Sequence, residues 1–283
     1  MYGMRKYIPA LVFLLSFCNS VYADEMQYAN DLEPIIYDAH IHYDWDVWES
    51  LPPDQAVQML KDEGIEHAIV SATPTEGAEM MYKAAPDVVI PFLRPYKNIR
   101  HRYLWFKDPT TPDYIRDHLK RVPYKGFGEF HVFGEDTTTD VMIEIVNIAR
   151  EQGLALHPHT DITGIHNFLR LAPDIPVIWA HGGFGAPTSL LTQLLNKHEH
   201  FYVELSLREG MLDDNGDLTP EWMELLTKYK DRFLVGMDTY KPSRWADLPE
   251  IAEESRDWLH QLPPDAATLI ARGNVERLFL RTQ

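Results

Sequence analysis

Short apolar runs alternate with amphipathic stretches along nearly the whole chain, and that alternation restricts the fold more than any single motif. Strand-like runs are read over residues 35–42, 67–73, 88–93, 126–133, 154–160, 177–181, 201–207 and 233–238. Helix-like stretches fall between them, over 52–64, 76–85, 112–121, 140–153, 164–172, 187–198 and 220–229, and the remaining tail is helical. The stretch 94–111 is less regular and is read as a lid over a site. Strands that alternate with helices pair in parallel, and eight such units close into a barrel. The expected fold is therefore a single-domain (β/α)8 TIM barrel. A doubly wound open sheet is the rival, but it usually carries a glycine-rich phosphate loop after its first strand. Here that place holds His40 and His42.

Residues 1–23 do not belong to this pattern. Arg5 and Lys6 are followed by an apolar run over 8–17 and by Val21-Tyr22-Ala23, the layout of a secretory signal peptide. The run is too short for a stable membrane anchor. Cys18 follows Phe17, where a lipidation signal has a small residue, so lipidation is not expected. Cleavage after Ala23 would leave about 260 residues without cysteine, enough for one large barrel and free of any need for oxidative folding. A periplasmic or secreted bacterial protein is expected. The formal charge of −17 opposes binding to nucleic acid and to anionic membrane surfaces, which leaves a small molecule as the expected partner.

A parallel barrel places its chemistry at the C-terminal ends of its strands. In Tyr37-Asp38-Ala39-His40-Ile41-His42, strand alternation puts both histidines on one face, with Asp38 below them. The fourth strand carries Glu129 and His131, the fifth His157 and His159, the sixth His181, and the eighth Asp238. Thirteen histidines scattered at random would not collect at strand ends in this way. Neutral imidazoles with a carboxylate hold a divalent ion and leave a position open for water.

These motifs resemble the amidohydrolase superfamily, and within it the branch of amidohydrolase-related, or type 2, metal-dependent hydrolases. The resemblance rests on HxH at 40–42, a histidine after strand five, His181 in AHGG, Asp238 in VGMD, and the tail running from Leu262-Pro263-Pro264-Asp265 to Phe279. It implies that His40, His42, a strand-five histidine and Asp238 bind metal, and that Asp238 also moves the proton of the attacking water. His159 is taken as the strand-five ligand because it lies nearer the rim, which would leave His157 in the barrel interior. The resemblance makes His181 either a ligand to a second metal or a polariser of substrate. Glu129 departs from the carbamylated lysine of many binuclear members and is similar to the bridging glutamate of TatD-type hydrolases.

One divalent ion is expected, zinc or alternatively manganese, with a second if Glu129 bridges. Arg94 and Arg208 are candidates for binding a substrate carboxylate, and Trp45, Trp48, Tyr96, Trp105, Tyr240 and Trp245 for an aromatic pocket. The leading expectation is hydrolysis of a small lactone, ester or amide. The alternatives are a metal-dependent decarboxylase of an aromatic-type acid and an exported metal-binding barrel without catalysis.

Overall fold

The computed structural model of the protein describes residues 34–281, so the expected leader over 1–23 lies outside the described residues. Within that span eight parallel strands follow one another in sequence order. They are β1 (Ile36–His42), β2 (Ile65–Ser71), β3 (Val89–Leu93), β4 (Gly126–His131), β5 (Ala155–His159), β6 (Val177–Trp179), β7 (Phe201–Glu204) and β8 (Phe233–Leu234). The chain past β8 closes the ring, with Ala39 N–H bonded to Val235 O at 2.9 Å and Asp238 N–H bonded to His40 O at 2.7 Å. The expected (β/α)8 barrel is the observed fold.

The connecting helices are α1 (Pro53–Asp62), α2 (Glu76–Ala84), α3 (Thr111–His118), α4 (Asp140–Gln152), α5 (Ile162–Leu171), α6 (Thr188–Lys197) and α7 (Pro220–Lys228). After β8 come α8 (Pro242–Ala246), α9 (Leu248–His260) and α10 (Pro264–Thr268), which runs on as wider π-type turns to Leu280. Helix α4 shows how these elements are specified. Thr139 Oγ1 accepts from Met142 N–H at its start, Gly153 takes φ +65° at its end, and Val141, Met142, Ile145, Val146 and Ile148 bury one face. Among the described residues no helix is long and apolar enough to cross a membrane.

The lower half of the barrel is filled by Tyr37, Ala39, Ile69, Ile90, Phe92, Ala155, Ile178, Tyr202 and Leu234, and Val275 and Phe279 of the last helical segment pack against them. This apolar plug leaves polar side chains only the upper half. Strict alternation fails in β1, where Asp38 and Ile41 pair with Ala68 and Val70, so three steps face two. The extra residue is a bulge, and it corrects the expectation for Asp38. Ala39 shares the interior with Tyr37, whereas Asp38 turns into the β1–β8 seam and accepts from His40 N–H at 2.9 Å and Met237 N–H at 3.1 Å. A second bulge in β4 sets Gly128 and Phe130 opposite His157 and Pro158.

Strands β6 to β8 end earlier than the apolar pattern predicts. His181, Leu207 and Asp238 take φ of +57°, +51° and +50°, so the backbone leaves the extended conformation at or near the residues that face the site.

Candidate metal centre

Four groups of His, Asp and Glu side chains bring possible ligand atoms together at the barrel mouth. They are His40/His42/Glu129, His40/His181/Asp238, Glu129/His131/His159 and His40/His157/Glu204. His40 Nε2 lies 3.1 Å from His42 Nε2 and 3.5 Å from Asp238 Oδ1. His42 Nε2 lies 3.4 Å from both Asp238 Oδ1 and Glu129 Oε2. Zinc–ligand bonds of about 2.1 Å set neighbouring tetrahedral ligands about 3.4 Å apart. His40, His42 and Asp238 already have that spacing.

Hydrogen bonding fixes how the imidazoles face the centre. His40 Nδ1 is 2.8 Å from Glu204 Oε2, and an ionised carboxylate can only accept, so Nδ1 carries the proton. Burial holds the His40 imidazole below its ordinary pKa despite Asp238 and Glu204. The neutral ring therefore turns the lone pair of Nε2 towards His42 and Asp238. The Nδ1 of His181 donates to the Ser206 carbonyl at 3.0 Å. His42 Nδ1 is seated on Ser71 Oγ at 2.9 Å, and the same hydroxyl accepts Glu129 N–H at 3.0 Å.

Glu129 stands between two histidine sets. Its Oε2 faces His42, while its Oε1 is 2.5 Å from His159 Nδ1 and 3.2 Å from His181 Nε2. Arg94 fixes it from behind, with Nη2 on Oε2 at 2.7 Å and Nε on the Glu129 carbonyl at 2.7 Å. Burial would raise its pKa, but His131, His159, His181 and His42 outweigh that and hold the carboxyl well below the usual range. Burial would lower His181, but the carboxylates of Glu129, Glu204 and Asp238 raise it to about 9. Asp238 is pushed the other way, above the usual carboxylate range, by burial and by Glu129 and Glu204 against the pull of His40 and His181.

The donor set fits a divalent ion. Without a cation, lone pairs of His40, His42 and Asp238 face one another across less than 4 Å. Three buried carboxylates, Glu129, Glu204 and Asp238, converge here, and among the described residues Arg94 is the one guanidinium paired to any of them. Buried charge of one sign is costly unless compensated, and a bound cation compensates it.

Glu204 escaped the sequence reading because it closes the apolar run Phe201-Tyr202-Val203. Its parity with the interior residue Tyr202 is the signal that could have found it. Besides His40 it accepts from the backbone N–H groups of His181 and Ser206, so one carboxylate ties β1 to the segments that follow β6 and β7. Burial opposes its charge, yet His40, His157 and His181 hold it well below the usual range. Gly236 makes room for it, since a Cβ there would lie 2.2 Å from Glu204 Oε1 and 2.8 Å from His40 Cβ. Gly128, at φ +137°, is confined by the His157 backbone in the same way. His157 itself lies fully buried, edge-on to His40 at 4.7 Å and to Phe92 at 6.5 Å, below the His159 ring that lines the pocket.

Above the centre opens a cavity of about 420 Å³ whose walls include Trp45, Ile99, Arg102, Phe184, Leu207 and Tyr240. Of the sequence-predicted residues, His42, Arg94, Glu129, His159, His181 and Asp238 line it. Arg94 is there as the clamp of Glu129, bonded also to Thr73 Oγ1 at 3.2 Å and paired with Asp44 at 3.5 Å. Arg208 is a correction. It does not line this cavity but lies in a neighbouring cleft, over the Trp222 ring at 4.8 Å and bonded to the Ala186 carbonyl. The positive φ of Leu207 turns Leu207 to the cavity, and Arg208 follows away from it. Of the six aromatic candidates, Trp45 and Tyr240 line the cavity, Tyr96, Trp105 and Trp245 are buried supports, and Trp48, half-buried, does not line it but donates its Nε1 to the Tyr43 carbonyl at 2.9 Å. Tyr96 OH meets His131 Nδ1 at 3.0 Å, Trp105 Nε1 donates to His131 O, and Trp245 Nε1 donates to His42 O.

No family model and no curated protein matches the chain. Solved structures do. A TatD homologue from Escherichia coli is 14% identical over 89% of this chain and 100% of its own, with a TM-score of 0.59. A probable 2-pyrone-4,6-dicarboxylic acid hydrolase from Acinetobacter baumannii with citric acid bound is 12% identical, over 87% and 99%, at 0.56. A dihydroxybenzoic acid decarboxylase from Polaromonas, with bound manganese and 2-nitroresorcinol, is 14% identical, over 86% and 96%, at 0.55. The resemblance carried by the sequence motifs is thus met in the fold, which this chain shares with amidohydrolase-superfamily proteins.

Proposed function

We propose that the protein is an exported, metal-dependent hydrolase that opens a small lactone, ester or amide with water. The observation that carries this reading is Asp238, a carboxylate lining the cavity within 3.5 Å of two imidazole nitrogens. His40, His42 and Asp238 would hold one ion, and Glu129, with Oε1 towards His159 and His181, would bridge to a second. Zinc suits the imidazole-rich set, with manganese as the alternative. A divalent ion in this position supplies a Lewis acid and lowers the pKa of water from 15.7 to about 7.

The chain's own residues do the rest. Asp238, held above the usual carboxylate range, accepts the proton of the attacking water and passes it to the leaving group. Glu204 keeps His40 in one tautomer, and the Ser206 carbonyl accepts the Nδ1 proton of His181. The basic start, apolar run and Val21-Tyr22-Ala23 support export.

The decarboxylase reading draws support from two neighbours of that activity at similar TM-score. A panel of lactones, esters, amides and aromatic carboxylic acids separates the two. The expected result is hydrolysis that disappears on chelation and returns with zinc or manganese. Carbon dioxide release without water uptake, or turnover indifferent to chelation, overturns the proposal.

A further inference from the structure

We propose that Arg102 is a specificity residue that receives a carboxylate carried by the substrate, and that the cavity therefore selects anionic lactones, esters or amides. The inference rests on the reading of the cavity as a substrate site and adds the class of substrate.

Arg102 lines the cavity from the turn His101–Tyr103 in the loop between β3 and α3. The turn is well anchored around it. Asn98 Oδ1 accepts from Arg100 and His101 N–H, His101 Nδ1 accepts from Lys97 N–H, and His101 Nε2 meets Asp108 Oδ2 at 2.9 Å. The guanidinium is thus presented by an ordered scaffold.

Arg94 and Arg102 are the two arginines among the residues that line the cavity, and Arg102 differs from Arg94 in its lack of partners. The chain has 43 acidic and 26 basic residues, so most cations can find a carboxylate. Arg94 and Lys97 have done so. Arg94 is spent on Glu129, Thr73 and Asp44, and Lys97 on Asp108 and Thr110. Arg102 has no hydrogen bond or ion pair among the described residues, and only the Tyr103 ring lies near its guanidinium, 5.8 Å away. Its charge reaches the His131 and Tyr96 side of the cavity, next to the metal centre.

A half-buried, unpaired guanidinium offers a planar fork of donors that matches a carboxylate in two parallel bonds. The cavity carries two acids outside the metal centre. Asp44 is already paired with Arg94 and accepts Thr73 N–H, and Asp46 is exposed to water, which screens it. Ile99, Phe184 and Leu207 add apolar wall to the cavity that Arg102 shares with the centre's His181 and Asp238. A substrate with an anionic group at one end, an apolar middle and a cleavable carbonyl at the other fits this polarity.

The test uses the full chain and two probes of one shape, isophthalate and its neutral diamide, titrated calorimetrically with and without zinc. Wild type should bind isophthalate, and Arg102→Ala should weaken it by about 10- to 100-fold, the range for hydrogen bonds to charged groups. Arg102→Lys should restore part of the loss. Affinity for the diamide, zinc content and melting temperature should not move. The proposal is overturned if wild type does not bind isophthalate, if Arg102→Ala binds it as well as wild type, or if both probes weaken alike. Arg102-dependent binding without hydrolysis of any panel substrate would refute the hydrolase reading and leave the carboxylate site at Arg102 standing. Hydrolysis unaffected by Arg102→Ala would do the reverse.

Discussion

Asp238→Asn is expected to leave a folded barrel whose turnover has fallen by about 10²- to 10⁴-fold, the usual contribution of a positioned acid or base. The fold should survive because the backbone at this position does not depend on the carboxylate. Asp238 N–H bonds to the His40 carbonyl at 2.7 Å, its own carbonyl accepts from Arg244 Nε at 2.8 Å, and asparagine tolerates the φ of +50° as readily as aspartate. The amide cannot take a proton and binds metal more weakly, so turnover must be measured at saturating metal, with bound metal assayed in the same sample. Undiminished turnover would remove Asp238 from its role.

Glu129→Gln should take the metal content from about two ions per chain to about one. The first ion keeps His40, His42 and Asp238, and three protein ligands are enough for a zinc site with an open position. The second loses the charge that joins His159 and His181 through Oε1. Its affinity should fall by more than the roughly 10- to 100-fold seen when only an outer partner of a ligand is removed. Arg94 would still hold the residue 129 carbonyl, Thr73 and Asp44, so loss of the fold is not the expected result. Two equivalents bound with wild-type affinity would exclude the bridging role.

The barrel was legible in the sequence because its two periodicities are physically distinct. Stretches such as α4 bury one side of a 3.6-residue repeat, while β3, covered on both faces, is apolar throughout. The candidate ligand residues were legible as a cluster because a barrel gathers strand ends from distant parts of the chain, and histidines recur there. What stayed hidden depends on contacts between strands. Nothing local in Asp38-Ala39-His40 announces a bulge, which is stabilised by Asp38 accepting from the backbones of both β1 and the segment after β8. Histidine, leucine and aspartate at positive φ carry no sequence signature, so β6, β7 and β8 read too long. Arg102 was not singled out in the sequence, whereas Arg208 was, for the same reason. Arg208 and Arg102 look alike in sequence, and only the turn at Leu207 and the anchored loop after β3 decide which one faces the cavity.

The central claim is that His40, His42, Glu129, His159, His181 and Asp238 form a metal centre, and elemental analysis tests it most directly. The full chain should be purified, reconstituted with zinc, freed of loose ions and assayed for metal per chain, with its fold checked by cooperative unfolding. About two equivalents, removed by a chelator and regained on adding zinc, is the predicted result. A cooperatively folded chain that takes up no zinc or manganese would contradict the account.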